Sequence, residues 1–146
     1  MKKNNNALFF TCSLIEYIAR ITHNRRSDIV DYLGDNIKNI YKYADVFHCE
    51  PIAKVADDFI NRAEIQDGDY DNISKCKYTV PDYWDIGEVF ERLIEDCYEE
   101  KDVCKGIEEV YKSWITEKIL NFNSDLYYQS RDYLAVCYKE GMLLSA

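Results

Sequence analysis

Proline and glycine are scarce in this chain of 146 residues: 2 and 5, too few to punctuate a many-turned sandwich or barrel or to build a collagen-like repeat. Histidine is equally sparse at 2, and no C-x-x-C pair occurs among the 6 cysteines, so zinc-ribbon and zinc-finger spacings are missing. No apolar run approaches the length needed to cross a bilayer. Positive charge is also short, with 18 Lys+Arg against 27 Asp+Glu and a net charge of -9. Such a chain repels phosphate backbones unless its cations are gathered in one place.

Apolar side chains are plentiful at 47%, with 14% aromatics, which excludes wholesale disorder and gives one domain a substantial core. The first 65 residues are balanced in charge, so the whole negative excess falls in residues 66–146. An acidic half keeps a protein dispersed, and it also offers a docking surface to a basic partner.

The cysteines at 12, 49, 76, 97, 104 and 137 belong to a chain large enough to fold without bridges. Cys12, Cys97 and Cys137 fall on apolar helical stripes, where a reduced thiol acts as a small hydrophobe. A reducing cytoplasm is therefore the expected setting. Lys2 and Lys3 precede the apolar stretch from Ala7 to Ile15 in a faint imitation of a signal peptide. Asparagines intervene and Glu16 closes the stretch without an A-x-A site, so no cleaved leader is expected.

Helical periodicity dominates. From about Asn5 to Ile21 the apolar positions surround the helix, which predicts a central place in a bundle. Ser27 is the expected cap of a short helix closed by Gly34, and Asn36 that of a helix carrying Ile37, Ile40, Tyr41, Ala44 and Phe47. Pro51 suits the first position of the helix on Ile52, Val55, Ala56, Phe59 and Ile60. Residues 66–84 lose the periodicity but keep Tyr70, Tyr78, Tyr83 and Trp84, which predicts an ordered connector with a short extended piece at Cys76–Val80.

Asp85 and Glu88 then suggest a capping box, with Trp84 and Val89 as its staple. Helices are expected through Cys97, from Asp102 to Leu120, and from a cap at Ser124 to the terminator Gly141. The expected fold is all-α. About seven helices form one helical domain in two packed halves, residues 1–65 and 85–141, joined by the connector at 66–84.

Three short motifs carry residue types that can do chemistry. Asp67, Asp69 and Asp71 begin like a calcium loop, but Asn72 stands where glycine is needed and Tyr78 where a bidentate glutamate is needed; an acidic capping turn is expected. His48, Cys49 and Glu50 are adjacent, whereas a thiol and its base normally converge from distant segments. No catalytic residue, metal ligand or cofactor is therefore assigned. Ile29, Val30, Leu33 and Gly34 before Asn36–Lys42 make a partial helix-turn-helix, in which Arg25, Arg26, Asn36, Lys38, Asn39 and Lys42 would touch DNA. Asp35 stands at a normally apolar position, and a corner inside a bundle explains the pattern better.

Tyrosine is abundant, with 13. Tyr127, Tyr128, Tyr133 and Tyr138 would spread around the last helix, so some must face solvent, where tyrosine beside carboxylates favours protein contact. They are the candidate partner-binding residues. The expected function is a non-enzymatic cytoplasmic interaction module. Its partner is another protein, with nucleic acid as the less favoured alternative through a DNA-reading helix at Asn36–Lys42. A second copy of the chain is a further candidate, and no membrane is involved.

The strings Leu14–Arg20, Tyr43–Cys49, Val55–Ile60 and Pro81–Gly87 resemble a family of small uncharacterised bacterial proteins, most clearly over the first 95 residues. Members of that family are similar to domains encoded near ADP-ribosyltransferase-like toxin genes. The resemblance implies an antitoxin-like or accessory role and assigns no residue.

Overall fold

The computed structural model describes residues 5–145; Lys2 and Lys3, named above, lie outside the described residues. Among the described residues the chain forms nine α-helices and no strand. They are α1 Asn6–Thr22, α2 Arg26–Leu33, α3 Asn36–Lys42, α4 Ala44–Phe47, α5 Ile52–Arg62, α6 Tyr83–Cys97, α7 Val103–Tyr111, α8 Trp114–Ile119 and α9 Arg131–Glu140. Single 3-10 turns stand at Glu100–Asp102 and Leu126–Tyr128.

As its all-round apolarity predicts, α1 is the central rod. It packs most extensively along α6 and also meets α2, α3, α4 and α5, while α6 carries α7 and α9. Leu8, Phe10, Leu14, Ile15 and Ile18 of α1 are all buried to 1% or less. Each contributes about 2 kcal/mol by leaving water. Together they outweigh the several kcal/mol that burying an ion costs, which is how α1 tolerates Glu16 in its middle. The α1–α6 crossing is close at Gly87: a Cβ there would stand 2.8 Å from Ser13 Cα, so only glycine lets the two helices approach.

Several boundaries differ from the sequence expectation. Arg25, with no side-chain cap bond, precedes α2 in place of a Ser27 cap, and Asp35 in place of Asn36 precedes α3. Pro51 sits one residue before α5 begins. The expected helix through Phe47 breaks at Tyr43, whose backbone (φ -111°, ψ 23°) leaves α3 and α4 as separate pieces. The expected helix from Asp102 to Leu120 breaks at Ser113. There the Ser113 and Thr116 hydroxyls donate to the Val110 carbonyl at 2.7 and 2.6 Å, competing with the helical ladder. Gly34 (φ 51°) and Gly141 (φ 78°) do terminate α2 and α9 in the region that favours glycine.

The connector is ordered, as expected, although Cys76–Val80 forms no strand. Gly68 and Tyr70 donate their backbone N–H to the carbonyls of Thr22 and His23, each at 2.8 Å. Asn72 Nδ2 donates to the Leu120 carbonyl at 2.7 Å, and the Lys77 N–H to Asn123 Oδ1 at 2.8 Å. The segment is thus pinned at both the α1–α2 corner and the end of α8.

Candidate partner-binding groove

A groove of about 510 Å³ opens between α6, the end of the connector and the Leu126–Tyr128 turn. Its position follows from how α6 starts. Asp82, one turn earlier than the Asp85–Glu88 pair expected, caps the helix: its Oδ1 accepts from the Asp85 N–H at 2.7 Å. Asp85 Oδ2 accepts from the Asp82 N–H at 3.2 Å, which completes the box. From that start, Asp85, Glu88, Val89, Arg92 and Leu93 recur at helical spacing and line one wall.

The opposite wall comes from the 3-10 turn and the first turn of α9. Ser130, and not the expected Ser124, caps α9 by accepting from the Tyr133 N–H at 3.2 Å. Arg131 then bridges the two walls. Its Nε and Nη2 bind the two Asp96 carboxylate oxygens at 2.9 and 2.8 Å, a bidentate clamp from α9 to α6, with Glu95 Oε1 at 3.4 Å. Arg92 is held by Glu88 at 2.9 Å one turn away. Arg20 Nη2 donates to the Pro81 carbonyl at 2.6 Å and fixes the connector edge. Both arginines of the lining are thus paired with carboxylates of the fold, Arg92 through Nη2, while its buried Nε has no hydrogen-bond partner among the described residues.

The four candidate tyrosines separate into two pairs. Tyr127 and Tyr128 are not on the last helix at all but on the 3-10 turn before Ser130, and both line the groove. Tyr127 stands edge-on to Phe122 at 5.7 Å and to Tyr128 at 4.9 Å, while Tyr128 is 67% exposed. Tyr133 and Tyr138 are on α9 and turn elsewhere. The Tyr133 hydroxyl donates to the Leu144 carbonyl at 2.7 Å, and that of Tyr138 lies 2.6 Å from the Tyr98 hydroxyl, which donates to Glu109 at 2.9 Å. These two fasten α9 to the C-terminal segment and to α6–α7.

The candidate DNA-contacting residues do not form one positive face. Lys38, Asn39 and Lys42 are exposed on α3, and Asn36 is half-buried. Arg26 is a correction to the expectation: only 1% exposed, it sends Nε and Nη2 to Oε1 of the fully buried Glu16 at 3.1 and 2.9 Å. Burial alone would lower the pKa of this guanidinium, and the Glu16 carboxylate more than reverses that. Arg25 is engaged with Glu117 at 3.3 Å and lies over the Tyr70 ring at 4.8 Å. Around Lys38, a second groove of about 440 Å³ mixes Lys105 and Lys112 with Asp31, Asp35 and Glu108.

The buried polar interior was not foreseen. Besides Glu16 and Arg26, it contains Cys12 and Tyr111, whose thiol and phenol are both pushed well up by burial. Glu91 of α6 is 1% exposed, and burial followed by the neighbouring Glu95 carboxylate raises it to about 8. One signal was available in the sequence: a carboxylate in the middle of a helix that is apolar all round.

The remaining motifs find local partners. Asp71 Oδ1 accepts from the N–H groups of Ile73 and Ser74 at 2.8 and 3.0 Å, and its carboxyl is held down at about 2 by bonds from the Ser74 side chain and then from these backbone groups. It closes a turn. His48 stacks on Trp84 at 5.7 Å, the Cys49 thiol donates to the Asp45 carbonyl at 3.3 Å, and Glu50 pairs with Lys54 at 2.9 Å, so the three neighbours serve separate contacts. Among the described residues no group of three or more His, Cys, Asp or Glu is arranged to hold a metal ion, and no helix is long and apolar enough to cross a membrane. No protein family, curated protein or solved structure matches this chain.

Proposed function

We propose that the chain is a non-enzymatic interaction module that binds another protein in the groove between α6 and the Tyr127–Tyr128 turn. The observation that carries this reading is Tyr128: a large amphipathic ring left 67% in solvent at the edge of a groove whose far wall is clamped to α6 by Arg131. A rigid aromatic beside a preformed apolar floor is the usual make-up of an anchoring site. The floor is supplied by Val80, Pro81, Val89, Leu93 and Leu134. All six cysteines are free thiols, which supports a reducing, cytoplasmic setting. An antitoxin-like or accessory role, implied by the resemblance, is one form such a module takes.

The test compares wild type and Tyr128→Ala as baits in quantitative affinity capture, with sedimentation to detect self-association. Because Tyr128 is exposed, the variant should melt within a few degrees of wild type. A protein retained by wild type and depleted at least tenfold on the variant is the expected result. Identical retained sets, with both baits folded, would refute the groove as the binding surface.

A further inference from the structure

Glu91 is the one carboxyl of α6 that the fold covers almost completely. It is 1% exposed, and neither of its oxygens has a hydrogen-bond partner among the described residues. A carboxylate held out of water without donors is strongly disfavoured, so the group keeps its proton. Each element packed against it adds a titratable or charged neighbour. On α6 itself stand Glu95, one turn on, and Arg92; α9 brings Arg131. The buried Cys12 of α1 feels both Glu91 and Glu16, and Tyr111 of α7 meets Cys12. The Leu126–Tyr128 turn packs on the groove side of α6, whose lining does not include Glu91. Glu95 joins three helices: its Oε2 accepts the Asn5 N–H at 2.9 Å at the start of α1, and its Oε1 faces Arg131 Nη2 at 3.4 Å. Asp96, Glu95 and Glu91 thus all act on the single guanidinium of Arg131. Of the helices closing this junction, α1 is the buried central rod, whereas α9 is a terminal helix with a smaller contact on α6. The cheapest way for water to reach Glu91 is to lift α9.

We propose that Glu91 is a proton-linked catch for α9: the closed helix shuts Glu91 away as an uncharged acid, and lifting α9 off α6 lets the carboxyl ionise and pass its proton to water. Opening therefore becomes easier as pH rises. In the closed form burial, followed by Glu95, raises Glu91 to about 8, with Arg131 and Arg92 opposing; once exposed it returns toward 4.5. Between these limits the open form holds one proton fewer, so the ratio of open to closed grows by about tenfold per pH unit and levels off above about 8. Arg131 and Leu134 also line the groove, so its far wall moves with α9. The catch does not depend on what the groove binds.

Amide hydrogen exchange of the nitrogen-15-labelled full chain, followed by NMR from about pH 5 to about pH 8, tests this, with each rate divided by that of an unstructured amide at the same pH. The amides of Leu134, Ala135 and Cys137 on α9 should exchange through an opening about tenfold or more frequent than the one that exposes Leu14, Ile15 and Ile18 of α1. That α9 opening should grow by about tenfold per pH unit across the range. Glu91→Gln, an uncharged group of nearly the same shape, should abolish the growth, while Asp57→Asn on the exposed face of α5 should keep it. Exchange of α9 only together with α1 would mean whole-chain unfolding and overturns the catch. An α9 opening that ignores pH, growth that survives Glu91→Gln, or growth lost in Asp57→Asn overturns it as well.

Discussion

Replacing Arg26 by methionine tests the central polar contact of the core. Arg26 and Glu16 are 1% and 0% exposed, and the guanidinium places two N–H donors on a single carboxylate oxygen at 3.1 and 2.9 Å. The second oxygen, Glu16 Oε2, has no hydrogen-bond partner among the described residues. Methionine fills much of the arginine volume but leaves the Glu16 charge buried and alone, which costs about 3–5 kcal/mol. For a chain of this size each kcal/mol moves the midpoint by about 2–4 °C, so Arg26→Met should melt about 6–20 °C below wild type. Glu16→Leu should cost a similar amount by stranding the guanidinium. The double variant Glu16→Leu/Arg26→Met removes both charges and should recover to within about 1–2 kcal/mol of wild type, because a buried pair replaced by packed apolar groups is near neutral. Calorimetry or urea unfolding of the four proteins gives the coupling energy directly. A single variant within 1 kcal/mol of wild type, or a double variant as unstable as the singles summed, would refute the reasoning.

Glu91 gives a pH dependence. Its folded pKa of about 8 lies above the unfolded value near 4.5, so between these limits the unfolded chain has released a proton that the folded chain keeps. This residue's contribution to stability is therefore fully present at low pH, declines as pH rises from about 4.5 to about 8, and is flat above. Glu91→Gln should gain on wild type progressively across that window in melts at pH 5, 6, 7 and 8; a constant difference between the two proteins would contradict the assignment. Gly87→Ala should destabilise by about 1–3 kcal/mol or more, since the added carbon would sit 2.8 Å from Ser13 Cα and 2.9 Å from Ser13 Cβ. Unfolding in urea measures it, and a neutral result would show that α1 and α6 can part without cost.

The all-helical architecture was legible because periodicity reports burial directly. α1 reads as apolar all round and is in fact the buried rod, and the two terminating glycines act as their positions imply. What the sequence hid were choices between near-equivalent local solutions. Asp82-x-x-Asp85 and Asp85-x-x-Glu88 both satisfy the capping pattern, and the upstream pair is used, with Pro81 buried just ahead of it. A serine and a threonine inside a periodic stretch look harmless until their hydroxyls compete for one carbonyl, as at Val110.

The tyrosines and arginines show a deeper reason for the difference between expectation and structure. Tyr127 and Tyr138 have the same hydropathy, and only the three-dimensional path decides that one lines a groove while the other bonds to Tyr98. Likewise Arg25 and Arg26 are indistinguishable as neighbours, yet the reversal at His23, whose positive φ of 56° ends α1, sends one outward to Glu117 and the other inward to Glu16. The inward arginine is a structural counter-ion that α1 needs for its buried carboxylate. The same logic runs through the groove, where Arg92 and Arg131 are held by Glu88 and Asp96. The fold thus sets these three arginines against its own carboxylates, and the neighbouring acid decides where each one points.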